Sequence, residues 1–196
     1  MINTIILDTE TTGVPKDKYN DWSECYIVQI AYIIISKDYQ ILSNKNYYIK
    51  DEKHKSCKTC LNIHHISEEL RNEQGIDIKE FLEIFKNDII KNNVKFIVSH
   101  GTDFDIGLII QECYRNEFNY DFLKNIKYFN TKLSSKYDKI RHLEGSVKKY
   151  NLKIEYSGNA HDAMYDTYLC YTLFKNSMKR SMLQSFNDIF ELTFKA

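Results

Sequence analysis

One proline and six glycines are spread over 196 residues, too few for a flexible linker or a low-complexity tract, and no internal repeat is present. The chain therefore reads as one domain, residues 1–196, long enough to bury a sizeable core. Net charge is also lacking. The 27 basic side chains balance 27 acidic ones, which argues against a strongly basic nucleic-acid coat. Cysteine is sparse and odd in number, five scattered residues, and does not look like a disulfide framework. Cys25, Cys113 and Cys170 read as core residues. No apolar run is long enough for a bilayer; the longest, Tyr26 to Ile35, covers about half of what a spanning helix needs. The start, MINTIILDTE, lacks the basic segment of a secretory signal. The expectation is a reduced, soluble, cytoplasmic protein that crosses no membrane.

Hydrophobic residues make up 43% and charged residues 28%, so the chain is globular and not disordered. Residues 2–8 read as a buried strand, followed by a loop through Gly13 and Pro15 to about Glu24. Residues 26–36 and 39–49 read as two strands of an antiparallel hairpin. Residues 57–75 form a short helical, looped region. A helix starts at Asp77, where Asp77 and Glu80 make a capping box and Ile78, Phe81, Leu82, Phe85 and Ile89 follow at helical spacing. Then come a strand over 95–99, a helix over 103–118, a strand over 126–130, a helix over 161–178 and an amphipathic helix over 181–192. Meander strands followed by alternating helices and strands predict an α/β layered domain with a mixed sheet.

Five polar residues stand out in three blocks: Asp8 and Glu10 in ILDTETTG, Asp105 in VSHGTDFDIGLI, and His161 and Asp166 in AHDAMYDT. Side chains two apart on a strand share a face, so Asp8 and Glu10 point the same way. Asp105 lies at helical spacing from Leu108 and Ile109. Asp166 sits in an apolar stripe with Ala163, Leu169, Cys170 and Leu173. A buried, unpaired carboxylate is costly, so such an acid is paired, protonated or metal-bound. Taken singly, each is as much a structural hydrogen-bond hub as a ligand. Together, four acids repel unless cations hold them. Oxygen-only ligands favour two hard cations, Mg²⁺ or Mn²⁺, and suit hydrolysis of a phosphodiester. His161, five before Asp166, falls at the helix start or in the preceding loop, as a general base or a mere cap. Setting the four acids aside turns the charge balance into a small positive excess, favourable to a polyanion.

At these residues the chain resembles the DEDDh, or DnaQ-like, exonucleases of the ribonuclease H-like superfamily. DxETTG matches Asp8 to Gly13; a His followed by Phe-Asp matches His100, Phe104 and Asp105; HxAxxD matches His161, Ala163 and Asp166. IHHIS, residues 63–67, resembles the family's HGI-T/S segment. The resemblance spans nearly the whole chain. It implies a three-layer ribonuclease H-like fold, with a five-stranded mixed sheet flanked by helices. It also implies two-metal 3′→5′ hydrolysis that releases nucleoside 5′-monophosphates. Asp8, Glu10, Asp105 and Asp166 would hold the metals and His161 would activate water. Thr9, Thr11, Thr12, His100 and Phe104 would contact or stack on the terminal nucleotides. Two departures are Gly101, where the family has Asn, and His65, where it has Gly. They are expected to loosen the loop before Asp105 and to crowd or extend the cleft. Asp103 reads as a helix cap, and Asp162 competes with Asp166 as a ligand.

His54, Cys57, Cys60 and His64, with His65 beside them, carry zinc-ligand types at short spacings. The simpler reading of the same residues is a short amphipathic helix with ordinary buried cysteines. The basic stretch from Lys136 to Lys149, with Arg141 and His142, tracks phosphates or is a solvated surface. The expected partner is single-stranded nucleic acid, DNA before RNA. The rival readings are an exoribonuclease or oligoribonuclease, and a proofreading accessory protein. The latter would dock a polymerase through Met182, Leu183, Phe186, Ile189 and Phe190.

Overall fold

The computed structural model describes residues 2–16, 21–134 and 142–179. The predicted helix over 181–192 and the part of the basic stretch before His142 lie outside them. In chain order the elements are β1 (Asn3–Thr11), β2 (Ile27–Ile35), β3 (Ile41–Tyr48), α1 (Lys58–His64), α2 (Glu68–Gln74), α3 (Ile78–Lys91), β4 (Val94–Ser99) and α4 (Thr102–Arg115). A 3₁₀ turn (Asp121–Leu123), β5 (Lys127–Asn130), α5 (Thr131–Ser134), α6 (Leu143–Lys149) and α7 (Ala163–Lys179) complete the list.

The five strands form one mixed sheet in the order β3-β2-β1-β4-β5. β2 runs antiparallel to β1 and β3, while β4 is parallel to β1 and β5. Every residue of β2 is buried, because helices cover both faces at the sheet's centre. On one face Ile5, Leu7, Ile30, Tyr32 and Ile97 pack with Phe81, Leu82, Leu108 and Ile109 of α3 and α4. On the other, Ile6, Ala31, Ile33 and Val98 pack with Ala163, Cys170 and Phe174 of α7. This is the three-layer α/β architecture expected of a ribonuclease H-like domain.

Three local details differ from the sequence reading. β1 continues past Asp8 to Thr11, because its pairing with β2 holds as far as Thr11 opposite Ile27. Glu10 therefore stands in the ladder together with Asp8. Asp77 does cap α3, but its carboxylate accepts from the N–H of Lys79 at 2.7 Å and not from Glu80 as a capping box requires. Asp103 is not the cap of α4. Gly101 stands at that position and Asp103 lies in the first turn, exposed, where a carboxylate suits the helix dipole.

One large residue absent from the sequence reading anchors the periphery. Arg71 of α2 is fully buried; its Nε donates to the Ile49 carbonyl at 2.9 Å and its Nη1 to that of His54 at 3.2 Å. It thereby ties the chain after β3 to α2.

Candidate active site

The pleat sorts the side chains of β1. Ile6 faces α7, so by alternation Asp8 and Glu10 face α7 too, while Thr9 faces α4 with Ile5 and Leu7. The neighbouring elements are then fastened to these faces. Gln29 of β2 lies directly opposite Glu10, and its side-chain oxygen accepts the N–H of Ala163, the first residue of α7, at 3.1 Å. The Thr167 hydroxyl donates to the Ala31 carbonyl at 3.2 Å. α7 is therefore pinned with Asp166 beside the acids of β1. On the opposite face, Thr9 Oγ1 donates to Asp105 Oδ1 at 2.8 Å, joining α4 to the same strand.

The outcome is a cluster. One oxygen or nitrogen each of Glu10, His161 and Asp166 lie within 4.8 Å of one another. Asp105 and Asp166 are buried, and Glu10 and Asp8 are half-buried. Burial and, after it, the charges of Asp105, Asp166 and Glu10 push the Asp8 carboxyl well above its usual range. Burial, then Asp166 and Asp105, push Glu10 up to about 8. Burial raises Asp105 to about 6, with the Thr9 hydroxyl acting in the opposite direction. Asp166 also rises to about 6 through burial, opposed by the N–H of His161, which donates to Asp166 Oδ2 at 3.1 Å. Four carboxylates held this way reject their own negative charge, which is the electrostatic complement of bound cations. The donors are all oxygens, as hard divalent ions require, so the residues fit the metals the sequence called for.

His161 precedes α7 with a left-handed backbone, φ 66°, and is exposed. It is not the helix cap. Asp162 fills that role, its Oδ1 accepting from the N–H groups of Met164 at 2.9 Å and Tyr165 at 3.1 Å. The competition between Asp162 and Asp166 is thus explained by position: the former closes the helix end and the latter turns into the cluster.

The predicted nucleotide contacts fall out differently. The hydroxyls of all three threonines are committed within the protein. Thr9 holds Asp105; Thr11 Oγ1 donates to the Gly13 carbonyl at 2.6 Å; Thr12 Oγ1 donates to the Glu24 carbonyl at 3.0 Å. All three are buried, and Thr11 and Thr12 shape the turn after the acids. His100 is half-buried, its Nδ1 2.8 Å from Thr131 Oγ1. Phe104 is half-buried against Trp22, ring centroids 5.9 Å apart. Trp22 was not legible as a site residue. It packs over Gly107 of α4, where an added Cβ would stand 2.8 Å from the indole.

Lys132 was also missed. It follows β5 and is exposed, and its charge lowers the carboxyl pKa of both Asp8 and Asp105. Its Nζ lies 3.0 Å from where a side chain on residue 101 would begin. Gly101, at φ 135°, thus leaves room for the Lys132 ammonium beside the loop before Asp105. His65 stands at the C-cap of α1 with φ 58°, a left-handed conformation that explains why glycine suits this position.

The zinc set does not assemble. His54 turns its Nδ1 to Asp51 at 2.8 Å and stacks on Tyr26, ring centroids 3.6 Å apart. Buried His64 accepts the N–H of Ile66 on its Nδ1. Among the described residues, only Glu10, His161 and Asp166 bring three ligand atoms together, so the zinc expectation fails on ring orientation. Only the two thiols of that set meet.

No helix among the described residues is long and apolar enough to cross a membrane. No curated protein matches the chain. Solved structures do. E. coli exonuclease I in complex with a dT13 oligonucleotide matches with a TM-score of 0.77 at 17% identity, over 93% of this chain and 42% of that one. The zinc-bound form of its complex with single-stranded DNA gives 0.79 at 17%, over 99% and 43%. Exonuclease X in complex with 5′-overhanging duplex DNA gives 0.72 at 17%, over 98% and 99%. This chain spans less than half of exonuclease I and nearly the full length of exonuclease X, and at such identities the likeness establishes the fold. The model of the exonuclease family (RNase_T) matches residues 5–174, and the chain belongs to that family.

Proposed function

We propose that this chain is a metal-dependent exonuclease that works from the 3′ end of single-stranded or frayed DNA and releases nucleoside 5′-monophosphates. The observation that carries the reading is the meeting of Asp8, Glu10, Asp105, Asp166 and His161 around the end of β1. Asp8, Glu10, Asp105 and Asp166 would hold two Mg²⁺ or Mn²⁺ ions, which supply an activated water and charge compensation at the leaving oxygen. His161, exposed at the rim, takes the proton of the attacking water as general base. Thr9 keeps Asp105 aimed at the cluster. Phe104, backed by Trp22, offers a ring on which an unpaired terminal base stacks, and His100 lines the approach. The cation of Lys132 favours a phosphate beside Asp8 and Asp105. DNA is favoured over RNA because the compared exonucleases I and X are in complex with DNA.

The test gives purified protein end-labelled single-stranded DNA, RNA, duplex DNA and circular single-stranded DNA, each with Mg²⁺, Mn²⁺ or EDTA. Mononucleotides should come from the 3′ end of linear single-stranded DNA with either metal, and EDTA should stop the reaction. A 3′-phosphate should block and a 5′ block should not. Faster hydrolysis of RNA would reassign the substrate. Cleavage of the circular strand at the linear rate would show an endonuclease and refute the proposal.

A further inference from the structure

Cys57 and Cys60 stand at the start of α1 in the order Cys-Lys-Thr-Cys. Both are free thiols, and their sulfurs lie 2.7 Å apart. The N–H of Cys60 donates to Cys57 Sγ at 3.1 Å. Cys57 is exposed and Cys60 is half-buried. The zinc arrangement does not use them, since His54 and His64 turn their rings elsewhere. The surroundings also split the two thiols chemically. The Cys60 thiol and N–H hold the Cys57 thiol below its usual range, whereas burial pushes Cys60 up to about 12. The other three cysteines are buried and raised, Cys25 and Cys113 to about 11 and Cys170 well above its usual range. An exposed thiol inclined to ionise, with a second sulfur in reach, is the arrangement that thiol–disulfide exchange uses.

We propose that Cys57 and Cys60 form a redox-active dithiol that small-molecule disulfides of the glutathione class oxidise to an intramolecular disulfide. The Cys57 thiolate attacks one sulfur of the small disulfide. That S–S bond breaks, a mixed disulfide forms on Cys57 and one small thiolate leaves. Cys60 then gives its proton to solvent, and its sulfur attacks Cys57 Sγ and expels the second small thiolate. The protein loses two electrons and two protons, and the small disulfide becomes two thiols. The site reaches the catalytic region through the hydrogen bond from the N–H of Cys57 to the carbonyl of Thr12 at 2.7 Å, and the charge of Glu10 acts on the Cys60 thiol.

The test incubates the full chain with glutathione disulfide at neutral pH, quenches with an alkylating agent and maps peptides by mass spectrometry. A Cys57–Cys60 cross-link should form, with Cys25, Cys113 and Cys170 alkylated only after denaturation. Cys60→Ser should trap a glutathione adduct on Cys57. Cys57→Ser should slow modification at Cys60 by about 10-fold or more, since the attacking thiolate is gone. Cys57 remaining reduced under excess glutathione disulfide would overturn the proposal, as would equal modification rates at the two cysteines. All these readouts are masses, so they stand whether or not the protein hydrolyses DNA.

Discussion

Without metal, the protein should lose stability as pH rises, and Glu10 should carry much of the loss. In the folded state Glu10 titrates near 8, against 4.5 for an ordinary glutamate. Asp105 and Asp166 titrate near 6, against 3.8. These are acids whose folded pKa is raised, so between the two values the folded chain binds more protons than the unfolded one. Stability is therefore fully present below about pH 4 and falls as pH climbs through the folded values. From about pH 5 to about pH 8, Glu10 crosses roughly three pH units, or about 4 kcal/mol at about 1.4 kcal/mol each. Its half-exposed carboxylate is screened by solvent, which brings the figure nearer 2 kcal/mol. For a chain of this length that is a fall in Tm of roughly 4–8 °C. Calorimetry in EDTA at constant ionic strength measures it. Glu10→Gln should flatten the slope and raise Tm at the alkaline end. Mg²⁺ should raise the Tm of the native sequence near pH 8 and do little near pH 5, where protons already occupy the acids. A metal-free Tm that is flat over this range, or that falls as steeply in Glu10→Gln, would refute the account of the cluster.

Other substitutions separate the roles assigned above. His161→Ala should lower kcat by roughly 10²–10⁴-fold and leave KM nearly unchanged, as steady-state kinetics will show. Asp162→Ala should cost about 1 kcal/mol in denaturant unfolding through loss of the α7 cap, yet retain turnover, whereas Asp166→Asn should abolish turnover without that loss. Lys132→Met should raise KM for single-stranded DNA and reduce the slope of log KM against log salt by about one, with kcat little altered. His65→Gly should stabilise the fold by about 1 kcal/mol, read as a higher denaturation midpoint, because it relieves a left-handed backbone at a non-glycine residue.

The sequence exposed the acids because each interrupts an apolar pattern, and burial in the structure follows that pattern at Asp105 and Asp166. The sheet was legible for the same reason: the apolar run 26–36 has the length and composition of a strand buried on both faces. What stayed hidden depends on how elements dock. The Thr9 hydroxyl meets Asp105 only because α4 packs on the Leu7 face of β1, a relation 96 residues away in the chain. Gln29 reads as an ordinary strand residue until α7 arrives opposite it. Gly101 was visible as a departure, but nothing along the chain says that Lys132, 31 residues on, comes to lie beside it. The zinc set failed for a related reason. Residue types and spacings do not specify which way a ring turns, and both histidines had nearer partners.

The acids of this site come from three elements that have no reason to hold like charges together, so the fold supplies the reason elsewhere. Neutral groups do the fastening: Gln29 on the N–H of Ala163, Thr167 on the carbonyl of Ala31, Thr9 on Asp105. The first two bonds involve no titrating group, so α7 keeps its place across the pH range in which the carboxylates change charge, while the Thr9 bond tightens as Asp105 ionises. Burial and, at Asp8 and Glu10, repulsion from the neighbouring acids are then stored as a raised affinity for protons, and a cation that replaces those protons releases it. The same hydrogen bonds that make the metal-free protein less stable at alkaline pH thus make it a better receiver of divalent ions there, since they prevent the acids from moving apart.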